Sequence, residues 1–236
     1  YSDSADIMDS TEDILSSDVG SRLKLAAVLL QLGGSFATAI INTISMATHT
    51  IPYLGTYNEA RGYGGGFGMP TSAGAMVRAV SNVWRGGLAN YDSIYKLVNG
   101  DPQNNKTAEQ MQQENGVSQD EAEALLDATG AGVLQAAQFN ALVGTSRGGR
   151  SSNRMNGAIK AWMYMFSYTE QLNRRATFLA AYRLERERIL GANNLGGMAN
   201  LEANLPEEAA FVKQQATEFA TKAVNTSQGE YAMYNR

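Results

Sequence analysis

The sequence predicts an all-α fold, an elongated bundle of about six to eight helices joined by glycine-rich loops. Three observations carry this. Alternating β-branched runs closed by hairpin turns are nearly absent. Apolar residues recur at three- and four-residue spacings through several stretches. Helix start and stop signals punctuate those stretches.

A first helix is expected from Ser21 to Thr48, with Leu25, Leu29, Leu32, Phe36, Ile40 and Ile44 at helical spacing and a bend at Gly33-Gly34. His49 would end it, where the negative end of the helix dipole favours a cation. Pro52 to Pro70, with its run Gly62-Tyr63-Gly64-Gly65-Gly66-Phe67-Gly68, reads as a loop. The next helix would start at Thr71 or Ser72 and carry Val77, Val80, Trp84, Leu88 and Tyr91 toward Val98. After a polar turn through Pro102, capping boxes Thr107/Gln110 and Ser118/Glu121 open two short helices. A short helix is expected over Ala131–Val143 and a polar loop over Gly144–Asn153. The longest helix runs from Met155 to Leu190, its stripe containing Ile159, Trp162, Phe166, Leu172, Ala176 and Leu179, with Gly191 as the left-handed stop. Gly196-Gly197 falls in the following loop. Pro206 at the first position, backed by Glu207 and Glu208, opens a last helix to about Asn225.

Composition narrows the chemistry. The chain has 236 residues, 44% hydrophobic and 18% charged, with net charge −4, no cysteine and one histidine. Such a length allows one large domain or two small ones. Disulfides, thiolate metal sites and a Cys nucleophile are excluded, and imidazole-based catalysis has little material. No catalytic residue, cofactor or metal is expected. Residues 1–19 hold six acids and no base, which reads as an acidic N-terminal segment over 1–20 and not as a signal peptide. Residues 147–188 hold nine bases and three acids. That segment reads either as a solvated helix face with i,i+4 pairs such as Glu170–Arg174, or as a surface for phosphate, acidic protein or membrane headgroups. Arg147, Arg150, Arg154, Arg174 and Arg175 are the candidate nucleic-acid or partner contacts.

Three motifs lack their structural context. Gly144-Thr145-Ser146-Arg147-Gly148 matches a nucleophile elbow, but no strand precedes it and the histidine lies upstream. Gly144 to Ser151 approaches a phosphate-binding loop, with Arg150 in place of the lysine and again no strand. Asn99 to Asn105 lacks the glycine and the closing glutamate of a calcium loop. The stretch Leu25–Asn58 has no charge apart from His49. It fits a buried bundle helix, a helix between subunits, or a conditional membrane span over 25–48, since a span takes roughly 20 residues.

Two blocks near the end resemble a known family. Met165 to Leu184 contains Glu170, Asn173, Arg174, Thr177, Ala180, Ala181 and Tyr182, in the pattern E-x-x-N-R-x-x-T-x-x-A-A-Y. Thr226 to Arg236 contains Gln228, Tyr231, Asn235 and Arg236, in the pattern Q-x-x-Y-x-x-x-N-R. Both resemble the large polyvalent virion proteins of tailed phages, the type with a PLxRFG C-terminal region. The resemblance covers about residues 155–236; the earlier part carries no motif that matches. In that family a proline follows the second pattern, so the chain reads as a segment of a longer protein, in keeping with its start at Tyr1.

The resemblance implies an internal virion protein of a short-tailed phage, held in the virion interior and ejected with the genome into the host envelope. Its expected partners are further copies of itself, other ejection, portal or tail proteins, genomic DNA, and the host inner membrane through residues 25–48. Organisation is then expected as the acidic segment 1–20, a Gly/Ala-rich helical region 21–145 and the family-like region 146–236. Glu170, Asn173, Arg174, Tyr182, Tyr231 and Asn235 are the candidate packing or register residues. Two alternative readings remain: a helical piece of a virion-packaged lytic transglycosylase or RNA polymerase, or a DNA-binding module. For the first, Glu170 is the leading acid, but Arg174 one turn away favours its charged form, the opposite of what a general acid needs.

Overall fold

A computed structural model of the chain describes residues 44, 46–60, 68–85, 107–134 and 153–228, with side chains in the last stretch described from Thr169 to Ser227. Among the described residues every regular element is helical: a π turn, Met46–Thr50, and seven α-helices. These are α1 (Ile51–Ala60), α2 (Gly68–Arg85), α3 (Ala108–Asn115), α4 (Gln119–Gly130), α5 (Asn153–Ala192), α6 (Met198–Asn204) and α7 (Pro206–Gln228). The chain is an all-α helical bundle, as its periodicities predict.

Long α5 is the axis. Its two main packing partners are α7 and α2. Every residue from Glu170 to Tyr182 is buried. An amphipathic helix keeps one face wet; this segment keeps none, as expected of a helix at the centre of a bundle. The central helix is thus part of α5. Of the stretch from Leu25 to Asn58, residues 25–43 lie outside the described residues, and α1 is only half-buried, with Leu54 inside.

One core joins Leu54, Met76, Val83, Met111, Leu125, Leu134, Phe178, Leu179 and Val224, drawing on both sides of residue 146. Tyr57 of α1 stacks on Phe219 of α7 with centroids 4.0 Å apart. A smaller cluster, Ile189, Met198, Leu201, Ala209 and Val212, fastens α6 into the corner between α5 and α7.

Several boundaries differ from expectation for local reasons. His49 does not end a helix: the π turn Met46–Thr50 runs straight into α1. Pro52 removes the amide that would bond the Thr48 carbonyl, and the widened turn lies immediately before it. Much of the expected Pro52–Pro70 loop is helix: Pro52 is accommodated by the widened turn before it, and Pro70 falls in the first turn of α2, where a missing N–H costs nothing. Helix α2 accordingly starts at Gly68, before Thr71 and Ser72. Both capping boxes form. The Thr107 amide donates to Gln110 Oε1 at 3.0 Å, and the Ser118 amide to Glu121 Oε2 at 3.2 Å.

A helix does not begin at Ala131. Gly132, at φ 78°, closes α4 with Val133 N–H donating to the Ala128 carbonyl at 3.0 Å and Gly132 N–H to that of Thr129 at 3.1 Å. Gly191 is helical and is not the stop of α5. Asn194, at φ 52°, takes that role, with Leu195 N–H donating to the Leu190 carbonyl at 3.0 Å. Gly197 then caps α6, which the sequence pattern did not suggest. The expected continuation of α2 to Val98, the rest of the 131–143 helix, the loop 144–152 and the tail after Gln228 lie outside the described residues.

Candidate functional site: a buried polar interface on the central helix

The family-like pattern sits where α5 is most enclosed. Glu170, Asn173, Arg174, Thr177, Ala180, Ala181 and Tyr182 are spaced by three, four or one residues, so most share one helical face. All seven are buried, none above 7% exposed. Glu170 accepts from Arg174 Nε at 3.2 Å, and Arg174 Nη1 donates to the Val133 carbonyl at 3.2 Å. The left-handed Gly132 turn therefore presents a carbonyl to α5, and Arg174 locks the end of α4 to it. The expected pair Glu170–Arg174 exists, but inside the protein and not on a solvated face.

One to three turns further along, α5 meets the start of α4. The Ser118 cap places Asp120 and Glu121 in the first turn, where the positive helix end favours acids. Both are buried, and α5 supplies their counterions. Arg183 forms a fork on Glu121, with Nε and Nη2 donating at 2.9 and 2.7 Å. Arg186 Nη1 reaches Asp120 at 2.7 Å, and its Nη2 lies 3.0 Å from Glu121. The Tyr182 hydroxyl donates to Asp120 at 3.1 Å, and the Arg186 guanidinium lies 5.7 Å from the Tyr182 ring centroid. Arg183 Nη1 also donates to Asn82 Oδ1 at 3.0 Å. Asn82 Nδ2 in turn donates to the Asn115 carbonyl at 2.8 Å. Helices α2, α3, α4 and α5 are thereby joined through one neutral set of two carboxylates and two guanidiniums.

The environment fixes the charges. Burial alone would raise the Asp120 carboxyl, but the Ser118 hydrogen bond and the Arg186 charge outweigh it and hold Asp120 below the ordinary range. Burial, followed by the negative charge of Asp120, pushes the Tyr182 phenol far up, so it stays a donor. Burial opposes the Arg186 charge, yet Asp120 and Glu121 raise its affinity for the proton. Asp120, held ionised by its donors, is poorly placed to give up a proton as a general acid. What the arrangement does well is orientation: bidentate pairs fix one relative placement of two helices.

Of the expected contact residues, Arg147 and Arg150 lie outside the described residues. Arg154 is within α5, its side chain outside the described ones. Arg174 and Arg175 are 4% and 2% exposed. That corrects their reading as surface contacts for nucleic acid: each is interior, and Arg174 is committed to Glu170 and Val133. Arg183, Arg186 and Arg188 also meet acids within the fold, so the basic excess of 169–188 is largely spent internally. Glu170, Asn173 and Tyr182 are at buried helix interfaces, while Tyr231 and Asn235 lie outside the described residues.

The sequence reading missed Asn82, Asp120, Glu121, Arg183 and Arg186 as a set. Two signals were available: the Ser118/Glu121 capping box marks two acids at a helix start, and Arg183 and Arg186 are one turn apart beside Tyr182. Sequence alone does not pair them, because 62 residues separate Glu121 from Arg183.

Among the described residues no group of His, Asp and Glu is arranged to hold a metal ion, and no helix is long and apolar enough to cross a membrane. No protein-family model, curated protein or solved structure matches the chain.

Proposed function

We propose that this chain is a structural component of a phage DNA-ejection apparatus: an oligomeric, non-enzymatic segment of an internal virion protein that builds or braces a conduit for the genome across the host envelope. The observation that carries the reading is the placement of the family-like pattern. All seven of its matched residues are buried in the helix interface of the bundle. A catalytic pattern would present its acid to a cleft; a structural one hides polar residues where they fix helix register. Glu170 bonded to Arg174 belongs to the second kind.

The test is imaging of the purified chain with liposomes and double-stranded DNA, beside peptidoglycan zymography. The reading expects ring- or tube-shaped oligomers on membranes and no lytic band. A strictly monomeric protein that ignores liposomes and DNA counts against it. A lytic band abolished by Glu170→Gln would replace it with the transglycosylase alternative.

A further inference from the structure

The apolar arc of α2 is wider than its buried face, with its sizes arranged unusually. Its inward face, Ser72, Ala75, Met76, Ala79 and Val83, is buried and mostly small. Past Val80, which still packs on the core, the arc continues through Pro70, Ala73, Val77 and Trp84, with Val77 68% and Trp84 65% exposed. An apolar arc wider than the buried face leaves an exposed stripe suited to a further cover. The charges of α2 are all basic, Arg78 and Arg85 with no acid, and Arg78 is exposed. A further exposed apolar side chain, Phe211 at 57%, lies on the outward face of α7. Glu207, Phe211, Gln214 and Glu218 share that face, and Glu208 flanks it, all exposed. The two faces are therefore complementary: an apolar stripe flanked by a base, and an apolar anchor flanked by acids.

Among the described residues neither face covers the other: Val77, Trp84 and Phe211 are all exposed within one copy. One copy does not satisfy its own two faces. We propose that copies of this chain associate head to tail, the α2 stripe of one copy packing on the α7 face around Phe211 of the next. A contact between two different patches repeats, closing into a ring or continuing as a filament, whereas a self-matched patch stops at a dimer. The proposal rests on the oligomeric reading above and supplies its contact surfaces.

The chain has no cysteine, so Val77→Cys and Phe211→Cys introduce its only thiols. The two single variants are mixed at a concentration where light scattering detects oligomers of the unaltered protein, then treated with a short bismaleimide. Expected is a cross-link between the two variants, and a ladder of higher species from the double variant. Cross-links only within each single variant, or none in oligomers that light scattering detects, overturn it, as does a chain monomeric at every concentration. Glu207→Arg with Glu208→Arg is expected to raise the concentration for half-assembly about tenfold, helical content unchanged, and Arg78→Glu to restore it. Failure of that restoration also overturns the proposal. DNA delivery to vesicles without the mixed cross-link would remove this interface and leave the conduit reading standing. The mixed cross-link without DNA delivery would do the reverse.

Discussion

At Asp120 a tyrosine hydroxyl and a guanidinium converge on one buried carboxylate. Because its carboxyl is held below the ordinary value, the native state favours the ionised form. Its contribution to stability is fully present above the unfolded carboxylate pKa of about 3.9 and is lost as pH falls through the lower folded value. Denaturant titrations from pH 6 to pH 2 are expected to show an acid limb that flattens in Asp120→Asn; an unchanged limb would show that Asp120 is not linked to folding. Tyr182→Phe removes one bond to that charge while Arg186 remains, so a loss of about 1.5 kcal/mol is expected by the same titrations. Removing Arg183 leaves Glu121 with one counterion fewer, and Arg183→Met is expected to cost about 3 kcal/mol.

Gly55 is a different kind of constraint. A Cβ there would lie 2.7 Å from Met69 Sδ and 3.2 Å from the Met69 Cα. The thioether can swing away, but the start of α2 would have to move. Gly55→Ala gains about 1 kcal/mol in helix propensity and meets an overpacking cost of about 2 kcal/mol, so a net loss near 1 kcal/mol is expected in thermal or chemical unfolding.

Helix ends are the elements where sequence and structure part most clearly. The capping boxes at Thr107 and Ser118 were legible because both partners lie within four residues. The stop of α5 was not. Gly191 has the preferred residue type, yet Ile189, Leu190 and Leu195 all pack in the small core with the helix running on to Ala192. Packing therefore selects Asn194, the second-best left-handed residue. Two substitutions separate these influences. Asn194→Gly is expected to be neutral or slightly stabilising, while Asn194→Val should cost about 1–2 kcal/mol by forcing a β-branched residue to positive φ. Equal stability of the two variants would place the stop elsewhere. The prolines at 52 and 70 misled for a related reason. A proline that marks a loop, one after a widened turn (Pro52) and one in a first turn (Pro70) carry the same local signal, and only the packing of α1 on α2 distinguishes them.

For the whole molecule, helical periodicity was enough to give the class, because an all-α chain writes its buried stripes every three to four residues. It did not give the partners of those stripes. Val77 and Trp84 have core spacing and face outward, while Ala75 and Ala79 beside them form the inner surface. Glu170–Arg174 was readable as a local pair, but its burial was not, since the Val133 carbonyl that completes it comes from 41 residues away. The neutral set at Asp120 and Glu121 was illegible for the same reason. What looked in the sequence like a basic surface is, for most of its described arginines, an internal framework that holds one arrangement of helices. Such a framework is what the proposed head-to-tail contact requires, a subunit that keeps its shape.

The most direct measurement is DNA protection. Vesicles are incubated with the purified chain and double-stranded DNA, treated with external nuclease, and the surviving DNA is counted against the oligomer mass in the same sample. A conduit component is expected to give nuclease-resistant DNA inside vesicles only at concentrations where oligomers form. Oligomers or monomers that leave the DNA fully digested at every concentration would contradict the account.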